Sequence, residues 1–210
     1  MASSLIHICV AKEVNKFLNR DESQLLIGSI APDIAKLINI SKDITHFVDE
    51  EKNIPNLDRF LNKYGSYLNN DFVLGYYIHL YTDYIWFKYF VPSLIDDNKI
   101  IKLNNKKENF DEEKFMEYIY DDYGSVNKSL IDDYNLDLKI FYEDLPEIDD
   151  IIEEIPIEKI NVIVDKAGLI IIESKEKDNV LFDEDLINEF IEYAVDATIA
   201  NIDNLNIKNG

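Results

Sequence analysis

The apolar residues of this chain recur every three or four positions along most of its length, which is the periodicity of amphipathic helices. In residues 5–19, the side chains of His7, Ala11, Val14 and Leu18 fall on one stripe, so His7 is predicted to point inward. The same spacing predicts further helices over residues 56–68, 112–120, 123–134 and 184–201. The pattern therefore predicts an all-α protein in which several helices form one bundle.

One stretch, Phe72 to Phe90, is apolar or aromatic on nearly every side and is predicted to be a buried central helix. It carries His79 and Asp83 four residues apart, which places both on one helical face with their β-carbons roughly 5–6 Å apart. A histidine and a carboxylate are costly to bury unless they are paired, hydrogen-bonded or bound to a metal. The pair is therefore interpreted either as metal ligands or as a hydrogen-bonded pair without a metal.

Four segments interrupt the helical pattern. A glycine and a proline in residues 28–33 break any regular element, so Asp33 is placed on a bend or at the start of a short helix. Residues 45–47 are predicted to lie in a loop, residues 104–109 to form a flexible loop, and the short apolar run 169–172 to be irregular.

The composition suits a single domain that spans residues 1–210. Hydrophobic residues make up 47% of the chain and charged residues 30%, and no internal repeat is visible. The single cysteine, Cys9, cannot form a disulfide within the chain and excludes a cysteine-rich zinc site. The first residues lack the basic start and long apolar run of a secretory signal, so a cytoplasmic location is expected.

The charge excludes two classes of partner. There are 42 acidic and 21 basic residues, which gives a formal net charge of -21, so neither nucleic acid nor an anionic membrane surface is expected to bind. Residues 72–90 are long enough to cross a bilayer, but His79, Asp83 and Lys88 make insertion costly. Stable membrane insertion is therefore not expected.

All three histidines lie in the first 80 residues, and each stands near a carboxylate or a bend. Taken singly, His7 could be a core histidine and His46 a loop histidine that caps a turn. Together with carboxylates, imidazoles suit a borderline divalent ion such as zinc. The sequence offers Asp33, His46, His79 and Asp83 for one ion, with His7 left over.

Four motifs in order resemble the zinc-dependent phospholipase C family. They are His7-Ile-x-Val-Ala, Gly28-Ser-Ile-Ala-Pro-Asp33, Thr45-His46-Phe47 and Gly75-Tyr-Tyr-Ile-His79-Leu-x-Thr-Asp83. The resemblance covers about residues 5–90 and is faint afterwards. It implies an all-helical fold with a cluster of zinc ions at one end.

The resemblance also implies a distribution of ligands. Asp33, His46, His79 and Asp83 would share a first metal, with Asp83 able to bridge to a second. His7 would hold that second ion together with the bridging aspartate and the N-terminal amine of the mature chain. The secreted enzymes of the family begin with a tryptophan exposed by processing, whereas this chain begins Met-Ala-Ser-Ser.

A second departure concerns the family's remaining metal, which is held by two further histidines and a glutamate. No histidine follows His79 here. We therefore expect one zinc ion. A second ion is possible if a carboxylate such as Asp121 or Asp122 replaces the missing ligands in an additional metal site. The same aspartates could instead support the metal ligands without contacting an ion. The other interpretation of these two aspartates is an exposed helix start. The identity of the ion also has an alternative, a divalent transition metal other than zinc.

These residues predict a metal-dependent phosphoester hydrolase that acts on a small substrate, with metal-bound water as the nucleophile. Asp33 and Asp83 are its candidate catalytic carboxylates, as ligands that could double as a base. The alternative is a non-catalytic, metal-stabilised helical binding module derived from the same fold. The missing histidine cluster motivates this alternative.

Overall fold

Helices form most of the protein in its computed structural model, which confirms the all-α class. The structure describes residues 1–49, 51–96, 99–102, 107–136, 144–173 and 181–207. Its α-helices are α1 (Ser4–Leu18), α2 (Glu22–Ile30), α3 (Lys42–Thr45), α4 (Leu57–Tyr64), α5 (Asp71–Ile85), α6 (Val91–Ser93), α7 (Glu112–Asp133), α8 (Ile160–Glu173) and α9 (Glu184–Asn204). Two short strands, β1 (Ile100–Lys102) and β2 (Lys107–Asn109), pair antiparallel with Ile100 opposite Asn109.

Helix α5 runs through the centre of the core. The Asn70 side chain caps its start by accepting from the backbone N–H of Val73, and every residue from Phe72 to Leu80 is buried. The helical path continues through a π-helical turn, Trp86–Phe90, into α6. Helices α1, α2, α4 and α9 pack around α5. The central helix predicted from the apolar pattern is thus present, and it is buried on all sides over this stretch.

Helices α2 and α5 cross with their backbones almost in contact. A β-carbon on Gly28 would lie 2.2 Å from the carbonyl oxygen of Phe72, and one on Gly75 would lie 2.1 Å from the carbonyl oxygen of Leu25. Real β-carbons do not approach other atoms so closely, because the repulsion at this distance is prohibitive. Glycine at both positions is therefore what permits the crossing.

Three local expectations differ from the structure. Helix α2 continues through Gly28 instead of breaking there, although Asp33 does lie near the start of a short helix, the 3₁₀ helix Ala31–Lys36, as one of the two alternatives predicted. Residues 45–47 are partly helical, since α3 ends at Thr45. Residues 169–172 continue α8, because Gly168 does not take the left-handed conformation that would end the helix.

The predicted flexible loop, residues 104–109, is described only in part. Residues 107–109 form strand β2, which pairs with β1, and residues 104–106 lie outside the described residues. Within the described residues, no helix combines the length and the apolar character needed to cross a membrane.

Replacing Gly28 or Gly75 by alanine is expected to lower the free energy of unfolding by about 3 kcal/mol, because the added methyl group meets backbone that cannot move aside. Urea denaturation measures the change. The control is Gly65→Ala, where the backbone is right-handed helical and the nearest side-chain atom lies 3.9 Å from the new methyl group. That variant should be neutral or more stable by about 0.4–1 kcal/mol. Equal stability of the three variants would contradict the close crossing.

Candidate metal centre

Asp33 lies near the start of the 3₁₀ helix that follows α2, and Pro32 immediately precedes it. The Ser4 hydroxyl donates to Asp33 Oδ2 at 3.0 Å, which links the carboxylate to the first turn of α1. The other oxygen, Oδ1, lies 3.6 Å from His46 Nε2. One oxygen of Asp33 is therefore held by the protein, and the other faces an imidazole.

His46 stands at the C-terminal end of α3. Its Nδ1 lies 3.1 Å from the Lys42 carbonyl oxygen and 2.9 Å from the Thr45 hydroxyl. Because a carbonyl oxygen can only accept, Nδ1 carries a proton, and Nε2 is the nitrogen that faces Asp33 and Asp83. The Tyr76 hydroxyl of α5 donates to the Thr45 carbonyl oxygen, and this bond ties α3 to the central helix.

His79 has the same tautomer for the same reason. Its Nδ1 lies 2.7 Å from the carbonyl oxygen of Ser29, in the last turn of α2, so the proton sits on Nδ1 and Nε2 presents a lone pair. Burial, together with the nearby His7, lowers the pKa of His79 to about 3. The imidazole is therefore neutral near pH 7.

Asp83 lies at the centre of the cluster. Its Oδ1 is 3.4 Å from His7 Nε2 and accepts the backbone N–H of Ala2 at 2.9 Å. Its Oδ2 is 3.6 Å from His79 Nε2 and 3.9 Å from His46 Nε2. The two oxygens thus face different imidazoles, which is the arrangement of a carboxylate that bridges two sites.

Both carboxyl groups stay ionised. Burial acts to raise the pKa of Asp33 and of Asp83, but the imidazoles outweigh it, chiefly His46 for Asp33 and His7 for Asp83. The pKa of each therefore lies well below the usual range. Neutral imidazoles and ionised carboxylates are the forms that bind a metal.

The cluster leaves buried polar atoms without a hydrogen-bond partner among the described residues. They are both ring nitrogens of His7, Nε2 of His46 and of His79, and Oδ2 of Asp83. The 3.6 Å between His79 Nε2 and Asp83 Oδ2 is too long for a hydrogen bond, and neither atom carries a proton to donate. His79 and Asp83 are therefore not hydrogen-bonded to each other, and each bonds to the backbone instead.

A divalent cation would satisfy these atoms. Two ligands on one tetrahedral zinc ion, each at about 2.1 Å, lie roughly 3.4 Å apart, and the distances around Asp83 range from 3.4 to 3.9 Å. The buried histidines and aspartates could thus hold a metal ion.

The potential ligand atoms form two overlapping groups within 4.8 Å of one another. One group comprises His7, His79 and Asp83, and the other comprises Asp33, His46 and His79. The sequence assigned Asp33, His46, His79 and Asp83 to one ion. In the structure, Asp83 lies in the group of His7 instead, and His79 belongs to both groups. The arrangement could accommodate one ion or two.

The two aspartates considered as extra ligands lie elsewhere on α7. Asp121 is exposed, and Asp122 is buried with its Oδ2 accepting the backbone N–H groups of Leu181 and Phe182 at 2.6 and 2.9 Å. Neither belongs to the two ligand groups in the described part of the chain. The interpretation as an exposed helix start is wrong, since both residues lie in the middle of α7.

Sequence reasoning missed the groups that orient the ligands. The Ser29 and Lys42 carbonyl oxygens fix two tautomers, and the Ala2 N–H fixes one oxygen of Asp83. Burial lowers the pKa of the α-amino group of Met1, while the charge of Asp83 opposes this shift. Every residue carries the same backbone groups, so the sequence does not show which of them will contact a ligand side chain. These contacts are seen only in the folded structure.

No family model, curated protein or solved structure matches the chain. The resemblance to zinc-dependent phospholipase C therefore rests on the motif residues alone. What the structure adds is that those residues lie within one buried cluster.

Adding zinc to chelator-treated protein is expected to raise its thermal midpoint, because the ion binds the folded cluster and not the dispersed ligands of the unfolded chain. Differential scanning calorimetry and metal analysis measure the two effects. His79→Ala should lose both, since His79 belongs to both ligand groups. The exposed Asp196 on α9 provides a control, and Asp196→Asn should respond to zinc as the unsubstituted protein does.

Asp83→Asn separates a metal site from a structural ion pair. In chelator, this variant is expected to be more stable than the unsubstituted protein by about 1 kcal/mol, because the new amide donates to the lone pair of His79 Nε2. In excess zinc the order should reverse. Urea denaturation under both conditions is the measurement, and destabilisation by the same amount with and without zinc would contradict a metal centre.

Stability without metal should also depend on pH. The unfolded chain takes up a proton on His79 near its ordinary pKa of 6.5, whereas the folded imidazole has a pKa of about 3. The free energy of unfolding should therefore fall as the pH is lowered from about 6.5 to about 4.5, by up to about 2–3 kcal/mol. In chelator, His79→Asn should show a shallower decline, and an identical decline in both proteins would contradict the shifted pKa.

Proposed function

We propose that this protein is a metal-dependent phosphoester hydrolase that uses zinc and acts on a small substrate. The observation that carries the proposal is a pair of buried acceptor atoms, His79 Nε2 and Asp83 Oδ2, which face each other at 3.6 Å with no proton between them. Such an arrangement is costly without a cation. A structural core has no need of it.

A cavity beside the cluster offers space for a substrate. Its volume is about 400 Å³, and its walls include Asp33, Met1, Ala2 and Ser4. Asp33 is the ligand candidate that reaches this cavity, with 15% of its side chain exposed, whereas the three histidines and Asp83 are at most 1% exposed. An open coordination position would therefore lie on the Asp33 side.

The residues have distinct tasks in this proposal. His46 and His79 would hold the ion through Nε2, and Asp83 places one oxygen on each side of the cluster. Asp33 stays ionised, so it acts as a ligand and is a weak base. Bound zinc lowers the pKa of its water toward ~7 and polarises a phosphoryl oxygen.

The resemblance to zinc-dependent phospholipase C supports phosphoester chemistry, and the group of His7, His79 and Asp83 contains the two side chains that the resemblance assigns to its second ion, His7 and Asp83. The third ion of that family has no counterpart among the described residues. This absence favours the second candidate, a binding module in which the metal only stabilises the fold. The two candidates share the metal and differ in turnover.

Turnover is tested with bis(p-nitrophenyl) phosphate and p-nitrophenyl phosphate as substrates for zinc-loaded protein. Release of nitrophenol is expected, and His46→Ala should reduce it by at least about 100-fold, since even outer partners of a metal contribute 10–100-fold. Asp196→Asn, prepared identically, should retain full activity. If protein that is fully loaded with zinc releases no nitrophenol, the hydrolase proposal is wrong and the binding module is supported.

A further inference from the structure

The cavity beside the metal cluster has a basic wall. Lys36, Lys42 and Lys166 line it together with Asp33. They come from the 3₁₀ helix after α2, from α3 and from α8, so the fold brings Lys166 to two lysines that lie far from it in sequence. The chain has only 21 basic residues against 42 acidic ones. Its composition therefore does not explain why three lysines line one cavity.

Within the described residues, none of these three lysines forms an ion pair, although other lysines do, such as Lys63 with Glu153 and Glu154. The Lys36 ammonium instead lies 3.3 Å from the Tyr120 hydroxyl, and that of Lys42 lies 3.5 Å from the Met1 sulfur. The Asp33 carboxylate in the same wall attracts Lys36 and Lys42 without forming an ion pair with either. In so acidic a protein, three lysines against one carboxylate at a cavity indicate a complementary anion.

Away from the lysines, the wall includes an apolar part and one buried amide. Leu37, Ile163 and Ile170 line the cavity beside Tyr120. Asn127 lines it as well, is 5% exposed, and its Oδ1 has no hydrogen-bond partner in the described part of the chain. A buried amide oxygen without a partner is costly, so a ligand that donates a hydrogen bond here would remove the cost.

We propose that this cavity binds a small organic phosphate that carries a second negative charge and an apolar body. Lys36 and Lys42 contact the negative charge of this ligand. Its apolar body packs against Leu37, Ile163 and Ile170. Lys166 adds to the positive field at the cavity wall. The inference rests on the proposed phosphoester hydrolysis for the reacting group. It goes further by assigning the substrate class, namely anionic rather than neutral or cationic.

Phenylphosphonate tests the inference, because it carries the phosphoryl charge and an aromatic ring but has no ester to hydrolyse. Isothermal titration calorimetry is performed on the protein as purified and again after zinc is added. Phenylphosphonate should bind, inorganic phosphate should bind more weakly, and benzylamine should not bind. Raising the salt concentration should weaken the interaction, as expected for charges that solvent reaches.

Charge-removing variants locate the binding site. Lys42→Gln is expected to weaken phenylphosphonate binding by about tenfold and Lys36→Gln by about threefold, in line with contacts between charged groups that are partly exposed. Lys42→Gln keeps the backbone carbonyl that orients His46. Lys159→Gln removes the same charge from an exposed position on the 3₁₀ turn before α8 and should leave the affinity unchanged.

The outcomes separate this inference from the hydrolase proposal. Lysine-dependent binding without turnover supports the anion site and overturns hydrolysis. Turnover with unchanged affinity in a Lys36→Gln, Lys42→Gln and Lys166→Gln triple variant supports hydrolysis and overturns the anion site. Inorganic phosphate that binds as tightly as phenylphosphonate would overturn the apolar part of the inference. Circular dichroism confirms that each variant is folded.

Discussion

The close crossing of α2 and α5 is the constraint on which the candidate metal centre depends. Two glycines, Gly28 and Gly75, let the backbones approach until added methyl groups would overlap with carbonyl oxygens. Ser29 follows the first glycine directly, and His79 lies one turn after the second. The same contact therefore brings the Ser29 carbonyl within 2.7 Å of His79 Nδ1. Helix packing here sets the tautomer of an imidazole.

That tautomer determines the electrostatics of the cluster. Once His79 and His46 each commit Nδ1 to a carbonyl oxygen, their Nε2 atoms point at carboxylate oxygens, and that of the neutral His79 does so with a lone pair. Electron-rich atoms then face one another in a site that water hardly reaches. A polar core that served stability alone would alternate donors and acceptors. The protein instead keeps an arrangement that is balanced only by a positive charge.

Much of the architecture was accessible from sequence. Helical periodicity predicted the all-α class, and the apolar stretch 72–90 predicted the buried central helix. The motifs named His7, Asp33, His46, His79 and Asp83, whose side chains the structure brings together. Such predictions succeed because periodicity and side-chain chemistry are local properties of the sequence.

What could not be predicted depends on tertiary contact. The burial of Asp122 against the backbone of residues 181–182 is invisible in a pattern that reads as a polar helix start. The gathering of Lys36, Lys42 and Lys166 at one cavity likewise requires three elements to be placed in space. The short apolar run at 169–172 was ambiguous because four residues fit a helix as well as an irregular segment.

The ligands are spread from α1 to α5, and this spread has a kinetic consequence. His7 and Asp83 are far apart in sequence, so the complete site is absent from the unfolded chain and forms only with non-local contacts. An ion that binds such a site stabilises the native state and not the unfolded chain. It should therefore extend the lifetime of the native state by slowing unfolding, while leaving the folding rate nearly unchanged.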